Sequence, residues 1–249
     1  MKDTVALVLA AGKGTRMYSD LAKVLHPICG RPMLSYTLIA VKELGFDRVL
    51  VVVGHQAERI REVFAEAQVE WVLQSQQLGT AHAAQCALPH LTDHGGSVLI
   101  CCGDTPLLTV ETLRMFHMEH VSRGADLSVL SMLLDEPGSY GRVVRGSGGE
   151  VSAIIEAKDA SEQERTIREV NTGIYCASAD LLRAVLPYVG NANAQGEYYL
   201  TDLVQMAAGQ GWKVQAVIAS DPKEFLGVNT EEELEVAERI ISERAQRKC

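Results

Sequence analysis

Short, almost wholly apolar runs alternate with helix-length segments through the first half of the chain. Residues 5–10, 49–53, 71–73 and 98–102 are such runs. A strand that is apolar at nearly every position, rather than at every second one, is buried on both faces. Between these runs, residues 32–44 and 57–65 carry apolar side chains at helical spacing, with Pro32 suited to a first helical turn. Thr80–Ala87 is a shorter segment of the same kind, and Thr109 is placed to cap a helix running through Glu111, Leu113 and Phe116.

Alternation of this sort predicts an α/β fold with a doubly wound, mostly parallel, Rossmann-like sheet. Right-handed crossovers would bring the strand ends and their loops to one edge. The pattern changes after about Asp135. Short strand candidates at 141–144, Val151–Ile155 and 170–176 follow, separated by Gly-rich turns, and predict an inserted β-rich lobe over about residues 135–200. A strand at 212–219 and a helix from 230 to about 246 close the chain. The expected division is one domain over 1–229 followed by a helix over 230–249. No internal repeat or low-complexity stretch interrupts it.

Composition narrows the partners. The 249-residue chain is 47% hydrophobic and 22% charged, with a formal net charge of −9. Nucleic-acid binding relies on Lys and Arg neutralising phosphates, so an acidic chain is expected to have no nucleic-acid partner. Small phosphorylated molecules stay open, because a few placed cations and backbone amides hold them locally. The apolar run after Thr4 is too short to span a membrane and lacks a signal-peptide cleavage pattern, so a cytoplasmic protein without membrane contact is expected. Six cysteines (Cys29, Cys86, Cys101, Cys102, Cys176 and Cys249) form no C-x-x-C pair and read as packed free thiols in a reducing compartment.

The most informative loop is Leu9-Ala10-Ala11-Gly12-Lys13-Gly14-Thr15-Arg16-Met17. It leaves a buried strand, and its two glycines let the backbone approach a ligand, where successive amides form an anion-binding nest. Lys13, Arg16 and Lys23 add positive charge. It is neither a Walker loop, which nothing in the chain supplies, nor a three-glycine dinucleotide loop, because Met17 stands where the third glycine belongs. On loop chemistry alone a tight strand–helix turn with solvated cations is an equal reading.

Residues Leu9 through Lys23 resemble the signature of the nucleotide-sugar pyrophosphorylase family, and the similarity continues in order along the chain. It runs through Gln74-Ser-Gln-Gln77-Leu-Gly79-Thr80, Gly103-Asp104-Thr-Pro106-Leu107, Tyr140-Gly141-Arg142 and Glu156-Ala-Lys158-Asp159-Ala. Asn171-Thr-Gly-Ile, Gln195-Gly-Glu197-Tyr-Tyr-Leu-Thr201-Asp202 and Gly227-Val-Asn229 complete it. Within the family, these segments look most like the bacterial N-acetylglucosamine-1-phosphate uridylyltransferases.

The resemblance implies transfer of UMP from UTP to N-acetylglucosamine-1-phosphate, with Mg²⁺ as cofactor and the inserted lobe on the sugar side. It implies that Arg16 and Lys23 are catalytic and that Leu9, Ala11, Gly12, Gly14, Lys23, Gln74, Gly79 and Thr80 bind the nucleotide. Asp104 and Asn229 are implied as metal ligands. Gly141, Glu156 and Asn171 are implied at the sugar, with Glu197, Tyr199 and Thr201 shaping that end. A glutamine carries the donor and acceptor that a uracil edge requires, and Thr80 is placed to cap the next helix. Ala22 departs from the family, which usually has proline before this lysine; Lys23 is then expected to be less preorganised.

Other clusters read as bland. His117 and His120, three apart on a helix, are expected to lie on its solvated face rather than to share a metal. Glu231-Glu232-Glu233 suits the positive end of a helix. Hexapeptide repeats do not follow Thr230, so the left-handed β-helix of the family's bifunctional members is not expected here, and a monomer or weak homo-oligomer is. A sibling enzyme with another base or sugar, and a non-catalytic nucleotide-sugar sensor, remain alternatives; intact Arg16, Lys23, Asp104 and Asn229 argue against the sensor.

Overall fold

The computed structural model describes residues 3–46 and 48–247. The chain enters through β1 (Thr4–Ala10), crosses a loop to the small hairpin β2 (Pro27–Ile28) and β3 (Arg31–Pro32), and continues into α1 (Met33–Glu43). Then come β4 (Arg48–Val53), α2 (Ala57–Val63), β5 (Glu70–Leu73), α3 (Thr80–Ala87), β6 (Ser97–Cys102) and α4 (Val110–Arg123). The second half contains β7 (Leu127–Leu133), β8 (Arg142–Arg145), β9 (Val151–Ile155), α5 (Glu162–Arg165) and β10 (Glu169–Ser178). It ends with α6 (Ala179–Val185), α7 (Asp202–Gly209), β11 (Val214–Ile218) and α8 (Glu231–Arg247).

The main sheet runs β11-β7-β10-β6-β1-β4-β5. Strand β1 is parallel to both neighbours, with Leu7 beside Leu50 of β4 and Ile100 of β6. The alternation of side chains explains the continuously apolar runs. Val5, Leu7, Leu50, Val52, Val98 and Ile100 face the helices α3, α6 and α7. Ala6, Val8, Val49, Val51, Leu99 and Cys101 face α1, α2 and α4 on the other side. Each strand therefore supplies two cores, and burying one such side chain is worth about 1.5–3 kcal/mol.

Two expectations change. Strand β10 does not stay in the inserted region: it lies antiparallel between β6 and β7, inside the main sheet. Within residues 135–200 only β8 and β9 stand off as a hairpin, and that hairpin is tied to β10 by the pairing of Arg142 with Val170. Hydropathy marks a buried strand without naming its partner, so this placement was not in the pattern.

The second change concerns α4. His117 and His120 are buried, with 6% and 3% of their surfaces exposed, rather than solvated. His117 Nε2 shares a 2.9 Å hydrogen bond with Thr4 Oγ1, and His120 Nδ1 shares one of 2.8 Å with Ser128 Oγ. Burial lowers the His120 pKa to about 4, so the ring is neutral at ordinary pH. These histidines fasten α4 to the sheet by hydroxyl partners on two other elements, Thr4 of β1 and Ser128 of β7.

Helix α8 packs against β2. Thr230 Oγ1 accepts from Glu233 N at 3.2 Å while Glu233 Oε2 accepts from Thr230 N at 3.1 Å, a reciprocal cap of the helix start. Ile28, Met33, Leu107, Val228 and Ala237 form a small core beneath it. That packing carries Asn229 to the ends of β1 and β6.

Candidate active site

Because β1, β4 and β6 are parallel, their carboxyl ends emerge together, where α/β sheets bind ligands. Backbone ties hold the three exits close: Gly103 N donates to Leu9 O at 2.9 Å, and His55 N to Ala11 O at 3.3 Å. A cleft of about 430 Å³ opens there. Leu9, Ala11, Gly12 and Gly14 form one wall from the loop after β1; Gln74, Gly79 and Thr80 form the opposite wall. Lys23, Asp104 and Glu197 also line the cleft.

Gly14 has a structural reason to lack a side chain. Its φ is +66°, and a Cβ there would lie 2.6 Å from Lys23 Cβ. The loop folds back onto Lys23 only because nothing intervenes. Ala22 adopts φ −53° and ψ 134°, the same backbone a proline would impose, so the lysine is not left to wander. What fixes the loop is Gln56: its Oε1 accepts from Ala22 N at 3.2 Å, and its Nε2 donates to Asp20 O.

Lys23 is ion-paired with Asp104, both side chains being partly buried. Lys23 Nζ also donates to Asn229 Oδ1 at 3.0 Å, and Arg16 Nη2 donates to the same oxygen at 2.9 Å. Asn229 is held in that orientation by its own Nδ2, which donates to Gly227 O at 3.1 Å. Four residues spread over more than two hundred positions thus share one knot. Arg16, Asp104 and Asn229 also line a smaller depression of about 190 Å³, joined to the cleft at Cys102 and Asp104.

The donor chemistry fits Mg²⁺. Asp104 Oδ2 and Asn229 Oδ1 both contact one ammonium, so two hard oxygens converge on a single cation position. Mg²⁺ takes few protein oxygens and completes its shell from phosphate and water. Among the described residues no group of three or more His, Cys, Asp or Glu gathers as a cage, so the remaining ligands would be the substrate's.

The wall of Gln74, Gly79 and Thr80 is zipped to the segment around Tyr198. Ala81 N donates to Tyr198 O at 2.8 Å, and Tyr198 N donates to Leu78 O at 2.8 Å. A Cβ on Gly79, whose φ is +124°, would sit 2.4 Å from Tyr198 O. The close approach Gly79 allows is thus to the protein's own backbone. Thr80 does not cap α3: Gly79 occupies the cap position, and Thr80 Oγ1 accepts from Leu200 N at 3.0 Å. Gln74 is 2% exposed, and its Nε2 donates to Gly79 O at 3.1 Å.

The residues expected at the sugar form a second knot of different character. Thr201 Oγ1 donates to Glu156 Oε1 at 3.1 Å, and burial raises the Glu156 pKa. Gly141 O accepts from Asn171 N at 2.8 Å, and a Cβ on Gly141 would lie 3.5 Å from the Glu156 carboxylate. Asn171 Nδ2 donates to the Tyr175 hydroxyl at 2.8 Å, while its Oδ1 accepts from Gly173 N at 3.0 Å. Tyr199 is buried beside them, its hydroxyl pushed up to about 12 by burial and the surrounding carboxylates. The knots meet where Cys102 Sγ contacts Gly173 O at 3.9 Å. Tyr175, Gln56 and His82 had no role in the sequence reading. Tyr175 sits at an ordinary core position of a strand, and Gln56 precedes α2 without any motif.

Comparison of the sequence with known proteins gives its family. The family model described as MobA-like NTP transferase domain matches residues 6–171. The chain belongs to that family. The family likeness read from the motifs therefore holds, and the chain is a nucleotidyltransferase domain. It is 49% identical over 245 residues to the bifunctional protein GlmU of Trichlorobacter lovleyi, covering 98% of this chain and 53% of that protein. The GlmU of Geobacter metallireducens is 50% identical over 248 residues, covering 99% and 52%. That of Geobacillus thermodenitrificans is 48% identical over 239 residues, covering 96% and 52%. The chain spans about half the length of these curated relatives. Among the described residues no helix is long and apolar enough to cross a membrane.

Proposed function

We propose that this nucleotidyltransferase domain transfers UMP from UTP to N-acetylglucosamine-1-phosphate, yielding UDP-N-acetylglucosamine and pyrophosphate. The observation that carries the reading is the knot of Arg16, Lys23, Asp104 and Asn229 between a glycine-rich loop and a carboxylate-bearing pocket. The amides of the 11–14 loop receive the triphosphate, and Gln74 faces the base. Glu156 accepts from sugar hydroxyls, while Asn171 and Gly141 border the same pocket.

The sugar phosphate attacks the α-phosphorus in line: its oxygen forms the new P–O bond as the bond to the β-phosphate bridge breaks and pyrophosphate departs. The nucleophile is already anionic at neutral pH, so no general base is required. Lys23 and Arg16 neutralise the charge that builds on the leaving pyrophosphate, and the two walls hold the reactants in line. Asp104 and Asn229 would hold Mg²⁺, which when bound supplies Lewis-acid neutralisation of the phosphate oxygens. The domain works on small molecules in the cytoplasm, a setting suited to its free thiols, of which Cys101 and Cys176 are buried in the sheet.

Pyrophosphate release by the purified chain with UTP, N-acetylglucosamine-1-phosphate and Mg²⁺ tests this, with EDTA and glucose-1-phosphate as controls. EDTA-sensitive release favouring the acetamido sugar is expected. A folded chain that binds UTP without releasing pyrophosphate would overturn it in favour of a sensor.

A further inference from the structure

We infer that His82 is a positioning residue that sets base choice by fixing which end of the Gln74 amide faces the cleft. The inference rests on the uridylyl reading and deepens it. Gln74 Nε2 lies 3.1 Å from Gly79 O and 3.0 Å from His82 Nδ1. The carbonyl is an acceptor only, so the amide nitrogen, with two hydrogens, belongs on that side. Its second hydrogen is satisfied only if His82 Nδ1 is also an acceptor, which requires the neutral ring with its proton on Nε2. Both donors of the amide are then spent inside the wall. Gln74 Oε1 accepts no hydrogen bond among the described residues and is not enclosed, so it remains as the acceptor that a base meets.

An outward acceptor discriminates by the base's ring nitrogen. Uracil carries N3–H at its pairing edge and satisfies Gln74 Oε1; cytosine presents a lone pair at N3 and meets it lone pair to lone pair. Without His82 as acceptor, Gly79 O alone orients the amide, and the flipped amide with its NH₂ outward becomes accessible. His82 is well placed to hold its own orientation. It lies in the first turn of α3, and its ring stands 6.2 Å from that of Tyr198, whose backbone is zipped to the same wall.

The test is the ratio of kcat/KM for UTP to that for CTP, with N-acetylglucosamine-1-phosphate and Mg²⁺, in wild type, His82→Leu and His82→Asn. Asparagine places an amide oxygen where Nδ1 stands; leucine offers no acceptor. One hydrogen bond of this kind is worth roughly three- to tenfold. The expected result is a UTP:CTP ratio about three- to tenfold lower in His82→Leu and restored in His82→Asn. A ratio is insensitive to the fraction of protein folded, so poor folding of the leucine variant does not mimic it. Equal loss with both nucleotides, or an unchanged ratio, would overturn the role of His82 while leaving uridylyl transfer intact. A wild-type enzyme that does not prefer UTP to CTP would overturn the uridylyl reading itself.

Discussion

The two ends of the candidate active site are built on opposite principles. At the phosphate end the contacts are cation to oxygen: Lys23 sits on Asp104 Oδ2, Lys23 and Arg16 share Asn229 Oδ1, and the Lys23–Asp104 pair is only partly buried. At the sugar end the contacts are hydroxyl to carboxyl and amide to phenol, and Tyr175 at its centre is 2% exposed. The phosphate end is a set of charges holding each other until a more highly charged partner arrives. On the proposed function, Lys23 and Arg16 would turn to the phosphate oxygens, and Asp104 and Asn229 would hold Mg²⁺. At the sugar end the polar groups of Glu156, Asn171, Tyr175 and Thr201 are already paired with one another. Burial disfavours a carboxylate there and raises the Glu156 pKa.

If this contrast is right, the largest effect belongs to the phosphate end. Asp104→Ala removes a metal oxygen and the partner of Lys23 together. Turnover should fall by roughly 10³-fold or more, while thermal unfolding and UTP binding without Mg²⁺ survive. Steady-state pyrophosphate release and a melting curve check it. Full Mg²⁺-dependent turnover in the variant would remove Asp104 from the site.

At the sugar end the expected loss is smaller and lies in KM. Glu156→Gln keeps the side-chain shape and the Thr201 contact but removes the charge. A hydrogen bond to a charged acceptor is worth about 1.5–3 kcal/mol, so kcat/KM for the sugar phosphate should drop roughly 10- to 100-fold, with KM for UTP unchanged. The pH profile sharpens the point. Burial raises the Glu156 pKa, so its carboxylate is lost at a higher pH than an ordinary glutamate as acidity increases. Wild type should therefore show an acid limb that the glutamine variant lacks. The sugar phosphate's own titration is common to both enzymes and cancels when the profiles are divided. A parallel pair of profiles would show that Glu156 does not meet the sugar as a carboxylate.

The same contrast explains what could be read from residues alone. Strands β1, β4 and β6 were legible because burial on both faces writes a continuous apolar run, and their common polarity then predicted the edge carrying the cleft. Gly12, Gly14 and Asp104 sit on the loops that leave β1 and β6, so the edge predicted from the strand pattern already gathers them. What could not be read were partners. Nothing in 170–176 announces that β10 inserts between β6 and β7. The spacing of His117 and His120 is compatible with a wet or a dry face, and Thr4 and Ser128 decide it from other elements. Thr80 follows a glycine in the manner of a cap, yet its hydroxyl is claimed by Leu200, far along the chain. Such contacts cross between elements, and a one-dimensional pattern records only what each position needs, not who supplies it.

The finest test of the contrast lies in the loop that presents Lys23. Ala22 replaces the ring that would fix this backbone, and the structure compensates from outside through Gln56, which clamps Ala22 N and Asp20 O. Gln56 itself sits at φ +53°, a left-handed backbone that glycine adopts without strain, so Gln56→Gly removes the clamp and does not add backbone strain. The part-buried contact to Ala22 and the exposed one to Asp20 together should be worth roughly three- to tenfold in kcat/KM for UTP. KM for the sugar phosphate should not move. In that background Ala22→Pro should recover part of the loss, because φ −53° at Ala22 already suits proline and proline has no N–H to leave unpaired. Recovery would show that Gln56 acts by holding Lys23 in place for the phosphates. If both substrates lose equally and proline recovers nothing, the two ends are not separate devices, and the loop, the cleft and the sugar pocket respond as one body.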